Sequence, residues 1–443
     1  MTSEREPHGR TAADAGWHAS RYNLYAEVPG SGRIAVANLF RGAFAECAAI
    51  ELCLMDALDE IAEDHPVVDR LARRGIIVDF DELDALEAMG RIACGMPRMV
   101  GLSICPTFAC NFDCPYCFEE HRGAKMARQV QDDVVALAGR MLDAAHTGNL
   151  RVRWVGGEPL LALDVIEALS TRLMALSGER GGAYRASVIT NGYLLTPANV
   201  AALEAAKVDF AQVTLDGVGE AHDATRHLAG GGPTFAVIAS NLRSPIPFAV
   251  KVRHNVHAGN HDQMEGLEAF VRRLAEETGN DLSYTPTPVF ASEAADKRGR
   301  QVGLLCDDDA AEVAMRRDAR SPVPGRGHFC DAHGVWNVGV DERGNLHKCW
   351  EEMGSGALPF ADAGSWNPAD PLATASAPDN LTKYLNTACP VPDDECRGCV
   401  WLPACVGGCP RMRLSGARGC LPYKGDERGF VLELRDRLRR PNV

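Results

Sequence analysis

Two hydrophobic periods run along this chain. Between about 100 and 290, short stretches with a two-residue period (MVGLSI, RVRWVG, ASVITNG, FAQVTLDG, FAVKVRHNV and DLSYTPT) read as strands. Between them, apolar residues recur at helical spacing near 128–146, 163–177, 197–206, 233–243 and 263–277. Repeated strand–helix units predict an α/β fold over 99–300, a parallel sheet with helices outside, closed as a full or partial barrel. Chemistry in such folds gathers beyond the C-terminal ends of the strands.

The flanks read differently. RYNLYAEV and IAVANL look like two strands joined by the turn PGSG, and 43–62 carries apolar residues at helical spacing with acids on its other face. HPVVDRLARRGIIVD predicts a second helix, ended by Gly75 and leading into a strand, and FDELDALEAMGRIA a third helix. Strands followed by helices over 19–98 predict a small winged-helix-like module. Residues 1–18 mix charges, lack an apolar h-region and read as a disordered tail. Beyond 320 the alternation stops, and glycine, proline and cysteine rise. Such a segment buries little core for its length, so cross-linking by metal suits it. It is read as a domain over 320–425, followed by a C-terminal helix over 426–443 whose basic run, 435-RDRLRR-440, suits a solvated helix end.

Charge and cysteine count sharpen this. The 443 residues carry 46 basic and 60 acidic side chains, a formal charge of −14. That balance disfavours a nucleic-acid partner. No apolar run reaches the length of a membrane span. The expected location is the cytoplasm, where thiols stay reduced, so 16 cysteines need an explanation other than disulfides. Cys47, Cys53, Cys94, Cys105 and Cys306 are scattered, and Cys47 and Cys53 read as core. The rest cluster at 110–117 and 330–420, which points to metal.

The first cluster is 110-CNFDCPYC-117. Three thiolates within eight residues can wrap one face of an iron–sulfur cube and leave one iron open, because Cys105 is poorly spaced to be a fourth ligand. A zinc site completed by a distant His or Cys is the competing reading. Cys110, Cys114 and Cys117, with Tyr116, resemble the signature of the radical S-adenosylmethionine (SAM) superfamily. The resemblance implies a partial (β/α)6 barrel in which the open iron chelates the amino and carboxylate groups of SAM. An electron from the cluster then splits SAM, and the 5′-deoxyadenosyl radical abstracts hydrogen from a substrate. Downstream, Gly156, Gly157, Glu158 and Pro159 resemble the family's GGEP motif, whose backbone and carboxylate meet the SAM amino group. Softer matches are Thr190, Asn191 and Gly192, then Asp216 in VTLDG, and His222, Asp223 and Arg226 in HDATR. Asn191, Asp216 and Arg226 are candidate SAM or substrate contacts, as is Arg253, which shares a strand face with Asn255.

The C-terminal cysteines resemble the SPASM domain, an extension holding two auxiliary 4Fe–4S clusters. By family order Cys396, Cys399, Cys405 and Cys420 hold one, and Cys330, Cys349 and Cys409 the other. The second set counts three; Cys389, Cys306 or an open iron completes it, since Trp336 stands where some relatives place a cysteine. With the SAM-binding cluster this makes three 4Fe–4S clusters. The resemblance extends to ribosomal-peptide maturases. It implies a precursor peptide whose leader the N-terminal module adds as an extra strand, and an electron donor such as flavodoxin or ferredoxin. The expected product is a thioether, carbon–carbon or ether crosslink, with the auxiliary clusters removing the second electron. The alternatives are an anaerobic sulfatase-maturing enzyme, disfavoured because Trp350, Glu351 and Glu352 follow Cys349 where those relatives show Asp, and a non-catalytic electron-transfer or peptide-binding protein. A structural zinc protein is a further option, separable by colour.

Overall fold

The computed structural model describes residues 10–96, 99–289, 302–306, 308–310, 312–313, 329–387, 393–416, 420–421 and 423–439. Cys389 and the first nine residues of the expected tail lie outside these. The chain divides into two units, Met1–Ala93 with Asp318–Cys330 and Thr387–Val443, and Cys94–Arg317 with Asp331–Asn386.

In the first unit, β1 (His18–Ala19), β2 (Asn23–Val28), β3 (Arg33–Asn38) and β4 (Ala43–Ala48) precede the helices α1 (Ala49–Cys53) and α2 (Pro66–Arg73). Then follow β5 (Ile77–Val78) and α3 (Glu82–Gly95). Strands β2, β3 and β4 form an antiparallel sheet in that order, and β1 pairs with β5. The expected tail ends early: Thr11 bridges to Ala62 and Ala12 is fully buried. Backbone pairing and an apolar contact hold that stretch, and charge composition cannot register either.

The expected helix over 43–62 starts as a strand. Residues 43–48 pair with β3 from Arg33↔Ala48 to Asn38↔Ala43, and only then does the chain turn helical. A neighbouring strand offers a ladder for every second backbone group, and that overrides a marginal helical period. Cys47 is buried in the core with Val36, Val67 and Leu71, as its position suggests, whereas Cys53 is exposed. The C-terminal helix Glu427–Arg439 belongs to this unit. It packs along β2, and Arg435 and Arg439 pair with Glu46 of β4 at 3.0 and 2.7 Å.

The second unit holds the parallel sheet. Its strands β6 (Val100–Ile104), β7 (Leu150–Trp154), β8 (Tyr184–Thr190), β9 (Val208–Thr214), β10 (Ala249–Val256) and β11 (Leu282–Pro288) pair in chain order, each parallel to the next. Helices α4 (Arg128–Ala144), α5 (Leu163–Glu179), α6 (Pro197–Ala205), α8 (Phe235–Arg243) and α9 (Met264–Thr278) alternate with them, with a short α7 (Glu220–Asp223) between. The strand faces turned to the helices are apolar: Val100, Leu102 and Ile104 pack with Val152, Trp154, Leu169 and Leu173. The other face carries the polar partners. Arg151 and Arg153 of β7 both reach Asp331, at 2.6 and 3.2 Å.

The segment expected as one cysteine-rich domain over 320–425 is divided between the units. Residues 331–386 extend the parallel sheet: β12 (Asn337–Val340) runs parallel to β6, followed by antiparallel β13 (Asn345–His347) and β14 (Ala361–Asp362). Val338, Val340 and Leu346 join the same core. Those strands are too short for periodicity to reveal, and β6 supplies their pairing partner.

Candidate functional site

The motif-bearing loops all leave the C-terminal ends of the parallel strands. The cysteine loop follows β6, Gly156–Pro159 follows β7, Asn191 and Gly192 follow β8, and Leu215–Gly217 follows β9.

Two loops are pressed together at the glycines. A Cβ on Gly156 would lie 2.5 Å from Cys105 Sγ and from the Thr107 carbonyl oxygen, and one on Gly157 would lie 2.5 Å from the Phe108 and Ala109 carbonyls. Gly156 also has φ +127°, which side chains disfavour. The glycines thus let the β7 loop lie against the start of the cysteine loop. Cys105 is fully buried there, its thiol donating to the Thr107 carbonyl at 3.2 Å.

Glu158, expected to meet the SAM amino group, makes its hydrogen bonds here within the protein. It is fully buried, and Oε1 accepts from Leu160 N at 3.0 Å and Thr190 Oγ1 at 2.8 Å. Its Oε2 accepts from Asn191 N at 2.7 Å, and its own N–H donates to the Ala109 carbonyl at 2.8 Å. A carboxylate carries about four acceptor sites, and here internal donors take most of them. Glu158 therefore locks the β7 and β8 loops together. Burial raises its carboxyl to about 6, although Asn191, Leu160 and Thr190 pull the other way. Pro159 opens a buried 3-10 turn, and Asn191 Nδ2 donates to Asn111 Oδ1 in the cysteine loop at 2.7 Å.

The softer matches converge on Tyr116. Its hydroxyl donates to Asp216 Oδ2 and accepts from Arg226 Nη1 at 2.7 Å and Asn255 Nδ2 at 3.2 Å. Asp216 also accepts from Asn255 N at 3.2 Å and Thr225 Oγ1 at 3.3 Å. Arg253 Nε donates to Asn255 Oδ1 at 2.8 Å, so the alternation that placed both on one face of β10 brings them together. Residues 111–113 pair with 227–229 through Ala229 N to the Asn111 carbonyl (2.9 Å) and Asp113 N to the His227 carbonyl (3.2 Å). The Arg226 guanidinium also lies over the Phe112 ring, 5.7 Å from its centre. The HDATR segment thus braces the cysteine loop. Sequence reasoning missed Asn260, whose Nδ2 donates to the Asp216 carbonyl at 2.9 Å, and Glu119, a buried carboxylate two residues after Cys117. No spacing rule marks Asn260; the repeated acids in CFEE were the available signal for Glu119.

His222 holds the corner rigid. Its Nδ1 accepts from Asp216 N at 3.1 Å, which leaves Nε2–H to face Thr234 Oγ1 at 3.1 Å. Burial, then the Arg226 charge, lowers its pKa to about 4. The folded chain therefore excludes a proton that the unfolded chain binds below about 6.5. The stability that neutral His222 supports is present above that pH and is lost as pH falls toward 4. A His222→Gln variant is expected to melt with a shallower acid dependence than the parent between pH 7.5 and 5, by up to one proton. Equal slopes in thermal melts would refute this.

The residues fit an iron–sulfur cluster. Burial pushes the Cys110 and Cys114 thiols up, and the neighbouring sulfurs add to this at Cys110. Thiols so crowded stay protonated alone, and an iron core replaces their protons. Among the described residues, no three His, Cys, Asp or Glu side chains gather as a single ion requires. In a cluster each cysteine takes its own iron, so the three thiolates need not meet at one point. Two buried donors, Arg226 Nε and Asn111 Nδ2, lack partners among the described residues, as a site for a ligand rich in acceptors would leave them.

In the first unit, Cys396, Cys399, Cys405 and Cys420 line one cavity together with Trp401, Leu402 and Lys424. Burial, then the other three sulfurs, raises the Cys405 thiol to about 11. Cys330 and Cys409 also belong to the first unit and Cys349 to the second, while Cys306 is exposed.

Residues 104–273 match the model of the radical SAM superfamily, and the chain carries that domain, which implies SAM and a 4Fe–4S cluster. The PqqA peptide cyclase of Ruegeria pomeroyi is 30% identical over 38% of this chain and 44% of that protein. The GTP 3′,8-cyclase of Synechococcus sp. (strain WH7803) is 31% identical over 49% of this chain and 63% of that protein. The chain thus spans about half the length of these curated relatives. The solved structure of native anSMEcpe with bound AdoMet and Cp18Cys peptide superposes with TM-score 0.55 at 18% identity, covering 76% of this chain and all of that one, and shares the fold. No helix among the described residues is long and apolar enough to cross a membrane.

Proposed function

We propose that this chain is a radical SAM enzyme that oxidatively crosslinks a precursor peptide. The observation that carries the reading is the pairing of two sets of cysteines. One is a three-cysteine loop at the mouth of the sheet; the other is a four-cysteine cavity in a separate unit. Cys110, Cys114 and Cys117 would hold the first cluster, and Cys396, Cys399, Cys405 and Cys420 an auxiliary one, with Cys330, Cys349 and Cys409 assigned to a second. When bound, SAM and the first cluster supply a 5′-deoxyadenosyl radical.

A crosslink removes two hydrogens from the peptide. One leaves as an atom to that radical, and the other as a proton and an electron, which requires a one-electron acceptor of the auxiliary-cluster class. The chain's own groups keep the mouth in register: Glu158 ties two loops, and the Tyr116–Asp216–Arg226 set holds the cysteine loop. Arg226 Nε and Asn111 Nδ2 are the donors left for SAM or substrate.

The likeness to a peptide cyclase supports a peptide substrate. The three-stranded sheet of the first unit, with β2 and β4 as its edges, offers a strand-addition site for a leader segment. A flavodoxin- or ferredoxin-type donor in the cytoplasm would supply the first electron. The sulfatase-type reading is weaker, because Cys349 is followed by the short turn Trp350–Glu352, with no Asp at that position.

The test is anaerobic incubation of reconstituted protein with SAM, a reductant and a small peptide encoded beside its gene. Mass spectrometry should show loss of two hydrogens without carbonyl reactivity, with 5′-deoxyadenosine formed in parallel. A peptide carrying a free aldehyde would instead establish formylglycine chemistry.

A further inference from the structure

Among the described residues, a cation at the cavity lined by four cysteines is aimed at a ligand sulfur. Arg413 lies in the last turn of the short helix Pro410–Leu414, and its Nη1 donates to Cys396 Sγ at 3.6 Å and to the Gly407 carbonyl at 2.9 Å. Its Nη2 lies 3.8 Å from Asp393 Oδ2, and its side chain is only 13% exposed. Among the described residues, the charged side chains lining the cavity are Lys424 and Glu395, which pair at 3.1 Å. Backbone carbonyl and carboxylate thus fix the guanidinium from two sides, and Nη1 also meets the sulfur. A planar fork held this way keeps its geometry in a way a lysine ammonium does not.

We propose that Arg413 is a positioning residue that raises the reduction potential of the auxiliary cluster held by Cys396, Cys399, Cys405 and Cys420, making it an electron acceptor. The inference rests on the auxiliary-cluster reading above. One-electron reduction adds one negative charge to the cluster and its four thiolates. A cation and an N–H···S hydrogen bond stabilise that more negative state in preference to the oxidised one. The Asp393 carboxylate offsets part of the effect from behind. The same helix begins directly after Cys409, which is assigned to the other auxiliary cluster, so the residue that contacts one set of ligands is four positions from a ligand of the next.

The experiment is a redox titration of the reconstituted full-length protein, followed by electron paramagnetic resonance, with iron counted in each sample. Arg413→Gln keeps a donor and loses the charge. One cluster midpoint should fall by about 59 mV, the one-electron equivalent of a tenfold change, while the others and the iron content stay put. Asp393→Asn keeps the cap on Glu395 N and removes the opposing charge, so the same midpoint should rise. Full iron with unmoved midpoints in both variants overturns the proposal. Should Arg413→Gln lose iron, Asp393→Asn decides alone, and an unmoved midpoint there refutes it. If the double variant Cys396→Ala with Cys405→Ala carries as much iron as the parent, no cluster sits in this cavity, and that outcome overturns the auxiliary-cluster reading together with this one.

Discussion

Arg226→Ala is expected to yield a folded protein that binds little iron at the cysteine loop and forms 5′-deoxyadenosine about 10²-fold more slowly. The guanidinium is buried, lies over Phe112 and donates to Tyr116, which donates in turn to the fully buried Asp216. Removing it leaves a buried carboxylate without its countercharge, a loss of about 3–5 kcal/mol. Part of that cost is relieved by releasing the cysteine loop, and about 3 kcal/mol corresponds to two decades in rate. Iron per chain and 5′-deoxyadenosine are the readouts. The double variant Asp216→Asn with Arg226→Gln should recover part of both, because removing a buried pair costs less than orphaning one member. A fully loaded, fully active Arg226→Ala would show that the 227–229 backbone pairing braces the loop by itself.

Alanine at Cys114 and alanine at Cys405 should have different consequences. Cys114→Ala removes a ligand of the SAM-splitting cluster, so 5′-deoxyadenosine should fall to background and the peptide stay unchanged. Cys405→Ala should leave 5′-deoxyadenosine in place and abolish the loss of two hydrogens from the peptide, since the second electron then has no acceptor. Each variant should lose ~4 iron atoms per chain. Loss of 5′-deoxyadenosine in both would mean that the C-terminal cysteines serve folding of the chain, and the division of labour proposed here would fall.

The candidate site was legible where chemistry depends on local spacing. Three cysteines within eight residues, GGEP and the C-terminal cysteine run are each read directly from the chain. The internal partners of Glu158 were not. Whether a carboxylate faces a ligand or its own neighbours depends on where Thr190 and Asn191 arrive, thirty-odd residues later. The same holds for Tyr116, whose three partners come from segments beginning a hundred residues downstream.

By itself the sequence determined the alternation of strands and helices between 100 and 290, the order of the motifs at the strand ends and the clustering of the thiols. Those follow from periodicity and short-range spacing. Only the tertiary structure decided that residues 43–48 pair as a strand, that 331–386 extend the parallel sheet, and that the C-terminal helix packs with the N-terminal strands. In each case a distant segment supplies the hydrogen-bond ladder or apolar face that completes the element. Neither lies within any local window of the chain.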